Sequence, residues 1–205
     1  MLEALIFDID GVLIWHEKWF TMTLSDQKYN DPVNIMSEYY KGEVNTECDR
    51  GSKNTITEIA PFLKRINWDF GAKDYLDMKY EFESKYIDFE MLKEIKSIRQ
   101  LGLKVFIGSN QNHYRKEFLK RKMEIDTVFD EAYFSSDFGY VKPEKEFWNN
   151  MQKQIAKKFG EIKKENILFL DDMLCNVESA NEYGYQTKHI KKRDDVIEVI
   201  RNVRA

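Results

Sequence analysis

The sequence predicts an α/β fold, with a Rossmann-like three-layer core on a mainly parallel sheet and an inserted α-helical domain. Short apolar runs rich in β-branched and aromatic residues recur along the chain, and amphipathic helical patterns separate them. This alternation predicts the core. The first two runs are separated by far more than the dozen or so residues that a crossover helix requires, and this spacing predicts the insertion.

Five apolar runs are predicted to form the strands of the sheet. Each is apolar on both faces, as expected for strands that helices cover on both sides. They are residues 4–8, 103–109, 132–135, 167–171 and 185–190. Apolar residues three or four positions apart predict the helices between and after them. These stripes are Met91, Ile95 and Ile98; Trp148, Met151, Ile155 and Phe159; and Val196, Ile200 and Val203.

The insertion divides the chain into a core formed by residues 1–14 and 89–205 and an inserted domain formed by residues 15–88. Two amphipathic patterns predict helices within the insertion. They are Ile56, Ile59, Ala60 and Leu63, and then Leu76, Tyr80 and Tyr86. Residues 41–54 are polar, contain two glycines and show no apolar periodicity, so this segment is predicted to be a loop.

Composition and charge exclude several classes of protein. The 205 residues include 32 Lys+Arg and 36 Asp+Glu, and the net charge of −4 argues against a protein that binds nucleic acid through phosphate contacts. No apolar run approaches the roughly 20 residues of a membrane-spanning helix, so no membrane association is expected. Only two cysteines are present, and the first residues carry no secretory pattern, so we expect a cytoplasmic location.

The most informative segment ends the first predicted strand and contains Asp8, Asp10 and Gly11. Strand residues two positions apart face the same side, so this spacing can aim both carboxylates at one point. In open α/β sheets, ligands bind beyond the carboxyl ends of the strands, where these residues would lie. Taken alone, the pattern fits equally well an Asp-Gly turn that Asp10 caps.

A second acidic pair, Asp171 and Asp172, ends the fourth predicted strand. One of these aspartates could simply cap the following helix. If the two strands are neighbours, however, four carboxylates lie close together and raise one another's pKa values. A cation would relieve this repulsion, and oxygen ligands without a His or Cys cluster favour Mg²⁺.

Two further strand ends supply groups suited to an anionic ligand. Ser109 and Asn110 follow the second core strand, and Lys142 precedes a proline that restrains its backbone. Alone, the first pair is more often a cap or turn, and the lysine is more often a solvated surface group. Together with the two aspartate pairs, they indicate a site for phosphate.

These four segments, in this order, resemble the haloacid dehalogenase (HAD)-like hydrolase superfamily. The resemblance rests on residues 7–12, Ser109-Asn110, Lys142-Pro143, and residues 169–172 followed by Asn176-Val177. Residues 109–111 and 137–143 look like the capped phosphatase branch that includes the amino-terminal phosphatase domains of epoxide hydrolases and bacterial sugar phosphatases. The resemblance implies that residues 15–88 are a helical cap that covers the active site.

The resemblance also implies a role for each matching residue. Asp8 would attack phosphorus and become an aspartyl phosphate. Asp10 would act first as the acid and then as the base, while its backbone carbonyl helps to hold the metal. Asp172 would be the direct carboxylate ligand besides Asp8, with Asp171 orienting metal-bound water, although these two roles could be exchanged.

The phosphoryl oxygens would be held by Ser109 and the Asn110 amide, and Lys142 would offset charge between Asp8 and the substrate. We therefore expect a Mg²⁺-dependent phosphatase acting on a small phosphorylated metabolite such as a sugar phosphate, as a monomer or weak homodimer. Asp10 disfavours dehalogenation, because family members that break carbon–halogen bonds lack an aspartate there. A phosphomutase of the β-phosphoglucomutase type is the alternative, and a non-catalytic binding protein is a third.

Overall fold

A parallel five-stranded sheet forms the centre of the core, with the strand order β3-β2-β1-β4-β5. The strands are β1 (Ala4–Phe7), β2 (Lys104–Ser109), β3 (Glu131–Phe134), β4 (Ile167–Asp171) and β5 (Gln186–His189). The computed structural model describes residues 2–25 and 27–204. Helices lie on both faces of this sheet, which confirms the α/β Rossmann-like fold predicted from the sequence.

The register brings the carboxyl ends of three strands to one edge of the sheet. Phe7, at the end of β1, pairs with Ile107 of β2 and with Leu170 of β4. The chain places β2 and β3 on one side of β1, and β4 and β5 on the other side. Polar residues that follow β1, β2 and β4 are therefore neighbours at the point where the strand order reverses, which is the usual ligand site of such sheets.

Alternating strand residues supply two separate layers of the core. Leu5 and Phe7 of β1 pack into one apolar cluster, whereas Ala4 and Ile6 pack into the other. The first layer includes α6 (Phe89–Gln100), α7 (His113–Lys122), α8 (Ile125–Val128) and α12 (Arg193–Arg204); the second includes α10 (Lys145–Phe159) and α11 (Leu174–Tyr183). Across residues 2–25 and 27–204, no helix is both long enough and apolar enough to cross a membrane.

The segment between β1 and α6 is helical and has an apolar cluster of its own. Its helices are α1 (Phe20–Leu24), α2 (Pro32–Lys41), α3 (Glu43–Asp49), α4 (Thr55–Arg65) and α5 (Ala72–Ser84). The predicted amphipathic stretches correspond to α4 and α5, although Tyr86 lies beyond the end of α5. We refer to residues 15–88 as the helical segment.

The prediction that residues 41–54 form a loop is wrong, because α3 lies within them. Cys48 is the one fully buried residue of this seven-residue helix, so the sequence of α3 shows no apolar stripe. The helix is stabilised by its contacts with α2, α4 and the short helix α9 (Ser135–Phe138) of the core. The apolar periodicity of a sequence does not reveal tertiary contacts of this kind.

Candidate active site

Three carboxylates meet at the ends of β1 and β4. Asp8 follows β1, Asp171 ends β4 and Asp172 comes next, and each offers an oxygen that lies within 4.8 Å of the other two. The backbone N–H of Asp8 donates to the Leu170 carbonyl at 2.9 Å, which joins the two strand ends. We call Asp8, Asp171 and Asp172 the acidic group.

Gly11 makes the close approach of Asp172 possible. A Cβ atom added to this glycine would lie 2.4 Å from Cγ of Asp172, a distance that van der Waals contact forbids. Gly11 also has φ = +70°, a conformation that residues with side chains rarely adopt. The Asp-Gly pattern of the sequence therefore has a steric role beside the acidic group.

Lys142 supplies the positive charge next to the acidic group. Its Nζ donates to Oδ2 of Asp171 at 2.6 Å and lies 2.9 Å from Oδ1 of Asp8. The residue is only 4% exposed, in the turn between α9 and α10. Burial alone would lower the pKa of Lys142, but Asp171 and Asp8 outweigh this effect and raise it, so the ammonium stays protonated.

One ammonium does not balance three carboxylates. Burial raises the pKa of Asp8 to about 7, with Asp171 adding to the rise and Lys142 opposing it. Burial, followed by the charge of Asp171, also raises the pKa of Asp172. The oxygens of Asp171 accept from Lys142, from Asn176 Nδ2 at 3.1 Å and from the Met173 N–H at 2.8 Å. The remaining excess of negative charge suits a hard divalent cation bound by oxygen atoms.

Ser109 and Asn110 lie at the end of β2, beside β1. Ser109 is 1% exposed, and its hydroxyl accepts from Gln111 Nε2 at 3.1 Å. The side chain of Asn110 makes two hydrogen bonds with the Lys142 backbone, accepting from its N–H at 2.8 Å and donating to its carbonyl at 3.0 Å. The Asn110 side chain is therefore occupied in positioning the Lys142 backbone.

The prediction that four carboxylates lie close together is wrong for Asp10, whose carboxylate lies outside the acidic group and faces the helical segment and α7. Arg115 donates to it with both terminal nitrogens, at 2.6 and 2.7 Å. Gln111 Nε2 donates to its Oδ2 at 3.0 Å, and His16 Nε2 lies 3.1 Å from its Oδ1. Burial would raise the pKa of Asp10, but Arg115 and His16 hold it well below its usual value, so this carboxylate is ionised.

The sequence analysis did not identify Arg115 or Gln111. Gln111 had a usable signal, because it stands two positions after Ser109 and such residues share one side of an extended chain. No sequence signal pointed to Arg115, because it belongs to the first turn of α7, a strongly charged helix in which most basic residues are solvated. Its contact with Asp10 joins positions 105 residues apart and depends on the packing of α7 against the β1 loop.

A small cavity connects this site with the helical segment. Its volume is about 190 Å³, and Asp10, Asn110 and Gln111 form its core side. The opposite side is formed by α2, α3, α4 and α5 and includes Asp49, Lys79, Tyr39, Tyr40 and Tyr80. The arrangement can therefore enclose a small polar molecule between the polar strand ends and the helices above them.

The chain belongs to the haloacid dehalogenase-like hydrolases, whose family model matches residues 2–184. This match confirms the superfamily indicated by the four motifs. The predicted roles of individual residues remain predictions.

Two solved structures illustrate the fold shared across this family. A HAD family enzyme, bt-2542 from Bacteroides thetaiotaomicron, has a TM-score of 0.74 and 16% identity, over 93% of this chain and 94% of that one. Another structure of the same enzyme contains magnesium and inorganic phosphate. The L-2-haloacid dehalogenase RSc1362 has a TM-score of 0.69 and 16% identity, over 100% of this chain and 99% of that one. At these identities, the similarity shows the fold alone.

One curated relative is drimenol cyclase drtB from Aspergillus calidoustus. It is 26% identical over 211 residues, which cover 99% of this chain and 37% of that protein. The chain thus spans little more than a third of the relative's length.

Proposed function

We propose that this chain is a Mg²⁺-dependent phosphatase that hydrolyses a small phosphomonoester through an aspartyl phosphate on Asp8. The observation that carries the proposal is the position of the Asp8 carboxylate. It is 7% exposed, lies 2.9 Å from the Lys142 ammonium and shares the acidic group with Asp171 and Asp172. A carboxylate in this position can attack a phosphorus atom whose oxygens are held by the neighbouring strand ends.

The residues present fit a bound Mg²⁺. Asp8 and Asp172 would hold it directly together with the Asp10 backbone carbonyl, because the oxygens of Asp171 already accept hydrogen bonds from Lys142, Asn176 and Met173. Asp171 would then orient metal-bound water. A bound Mg²⁺ supplies positive charge that lets an anionic phosphate approach an anionic nucleophile.

The other groups of the site bind and orient the phosphoryl group. Ser109 would donate its hydroxyl hydrogen to one phosphoryl oxygen, and the Asn110 backbone amide would hold another. Lys142 would offset charge between Asp8 and the substrate, in a position set by its two backbone hydrogen bonds with Asn110. Because these hydrogen-bond donors are already in place, they need not rearrange as charge develops on the phosphoryl group.

Asp10 would handle the protons of both displacements. Its ionised form, which Arg115 stabilises, is the form that accepts a proton from the water that attacks the aspartyl phosphate. In the first displacement, Asp10 must instead carry a proton to the leaving alcohol, and Arg115 opposes that state. The contact between Asp10 and Arg115 must therefore loosen when a substrate binds.

Two features favour phosphate ester hydrolysis over carbon–halogen cleavage, the activity named for one structural neighbour. An alcohol leaving group requires an acid at the position of Asp10, whereas a halide leaves without a proton. The excess negative charge of the acidic group also calls for a cation, which a dianionic substrate would share.

We further propose that the helical segment is a cap that closes over a small phosphorylated metabolite. The cavity of about 190 Å³ between α5 and the strand ends supports this proposal. Cys48 and Cys175 are both free, which supports a reducing, cytoplasmic location.

The test is release of phosphate from a panel of small phosphomonoesters, measured with Mg²⁺, with chelator and with Asp8→Asn. We expect activity with Mg²⁺ only and a loss of about 10⁴-fold or more in Asp8→Asn, because the nucleophile is missing. Asp126→Asn is the matched control, since that side chain is exposed on the core. Activity that survives both chelator and Asp8→Asn would contradict the proposal, as would isomerisation of a sugar phosphate without release.

A further inference from the structure

In the part of the chain that the structure describes, one charged side chain of the cavity between the site and the helical segment has no ionic partner. Four charged residues line this cavity: Asp10, Asp49, Lys79 and Arg115. Arg115 is paired with Asp10, and Lys79 Nζ lies 2.7 Å from Oε1 of Glu83. Within the described residues 2–25 and 27–204, no ion pair reaches Asp49, whose carboxylate accepts from the Asn45 amide at 3.0 Å and lies beside Asn112, which stabilises its charged form. The unbalanced charge of the cavity is therefore that of Asp49.

The position of Asp49 relative to the core is well defined. Its backbone carbonyl accepts from the Ser135 hydroxyl at 2.6 Å, and that hydroxyl accepts from the Gln111 N–H at 2.9 Å. The next residue, Arg50, makes a two-pronged ion pair with Glu144, two residues after Lys142. The end of α3 is thus attached to both loops that carry the predicted phosphate-binding groups, and Asp49 faces the space where a leaving group would extend.

Other groups of the cavity also lack a partner or favour a cation. The hydroxyl of Thr55, a residue that is 6% exposed, has no hydrogen-bond partner among the residues that the structure describes. The rings of Tyr39, Tyr40 and Tyr80 line the same space, and those of Tyr40 and Tyr80 face the Lys79 ammonium at 5.1 and 5.2 Å. The cavity thus already surrounds one ammonium with aromatic rings, and Asp49 supplies a second carboxylate there, as Glu83 does for Lys79.

We propose that Asp49 is a specificity-determining residue that binds an ammonium group on the alcohol part of the substrate. The substrate class is then the phosphomonoesters of small amino alcohols, with the Thr55 hydroxyl as a further hydrogen-bonding group for the same end of the molecule. This inference rests on the proposed phosphatase function and adds the chemistry that selects the leaving group.

The test compares three esters with tails of equal length: 2-aminoethyl, 2-hydroxyethyl and propyl phosphate. We expect kcat/KM to be highest for the amino ester, by about tenfold or more over propyl phosphate, because a hydrogen bond between charged groups is lost in the others. Asp49→Asn should lower kcat/KM about tenfold to hundredfold for the amino ester and leave propyl phosphate within about twofold. Asp69→Asn, which removes an exposed carboxylate of the helical segment, is the control.

A binding measurement separates this inference from the proposed function. Calorimetric titration of Asp8→Asn protein with 2-aminoethyl and propyl phosphate needs no turnover. We expect tighter binding of the amino ester, and no difference once Asp49→Asn is added. Equal affinities in the protein that retains Asp49, or a preference that survives Asp49→Asn, would overturn the inference. Preferential binding with no phosphate release by the unmodified chain would support the inference and overturn the proposed function instead.

Discussion

The acidic group and the cavity beside it are both rich in charge, but they balance that charge differently. In the acidic group, three carboxylates face the single ammonium of Lys142. In the cavity, Asp10 is matched by Arg115 and Lys79 by Glu83, and among the described residues Asp49 has no ionic partner. The first arrangement calls for a divalent cation, whereas the second holds fixed charges in place and selects what fits between them.

Apart from the loss of the nucleophile in Asp8→Asn, the largest expected effect is that of breaking the pair of Asp10 with Arg115. Arg115→Met leaves a partly buried carboxylate without its two-pronged partner, and we expect about tenfold to hundredfold lower kcat/KM through misplacement of Asp10. Unfolding free energy should fall by about 2–3 kcal/mol, less than for a fully buried pair, because the Asp10 side chain is 32% exposed. Kinetics and urea denaturation measure the two quantities.

Arg121→Met is the matched control for this prediction, since Arg121 is an exposed arginine on the same helix, α7. This variant should leave both kcat/KM and the unfolding free energy nearly unchanged. Equal losses in the two variants would mean that Arg115 contributes through the helix rather than through Asp10.

A smaller effect is expected when the acidic group is disturbed sterically. The side chain in Gly11→Ala would collide with Asp172, which we expect to weaken Mg²⁺ binding about tenfold or more, measured by titrating activity with the metal. Gly102→Ala is the control, because Gly102 also has a positive φ, of +97°, but has no atom within 4 Å of the added Cβ. If both variants shifted the Mg²⁺ dependence equally, backbone strain rather than contact with Asp172 would be the cause.

The smallest expected effect is a pH dependence of stability that distinguishes the two regions. Burial raises the pKa of Asp8 from 3.8 to about 7, so its contribution to stability is full below about pH 4 and is lost as the pH rises through 7. Asp10 has a lowered pKa, so its contribution is full above about pH 4 and is lost only in stronger acid. In the presence of chelator, Tm should therefore fall by roughly 2–6 °C between pH 5 and 8. This is the shift that a loss of about 1–2 kcal/mol of unfolding free energy produces.

Thermal unfolding across this pH range measures the slope of Tm against pH. Asp8→Asn should flatten this slope, because no group with a raised pKa remains at that position. Saturating Mg²⁺ should flatten it as well, since bound metal favours the ionised carboxylate. A slope that is the same in Asp8→Asn would place its origin elsewhere in the molecule.

The sequence alone was enough to predict the sheet, its two helical layers and the meeting of Asp8, Asp171 and Asp172, but not that the Asp10 carboxylate turns away from them to Arg115. These features follow from local rules, because buried parallel strands are apolar on both faces and their carboxyl ends meet at one edge. The convergence still depended on β1 lying between β2 and β4, which the sequence analysis had to assume and the structure shows.

Only the tertiary structure decided what faces Asp10 and what lines the cavity. The helices that carry Arg115, Asp49 and Lys79 contain several polar residues each, and the sequence does not show which of them face the site. In addition, α3 has no apolar stripe from which it could be predicted. Their positions depend on how the helical segment packs against the strand ends. That packing is set by long-range contacts such as the ion pair of Arg50 with Glu144, across 94 positions of the chain, and no periodicity within one element records such a contact.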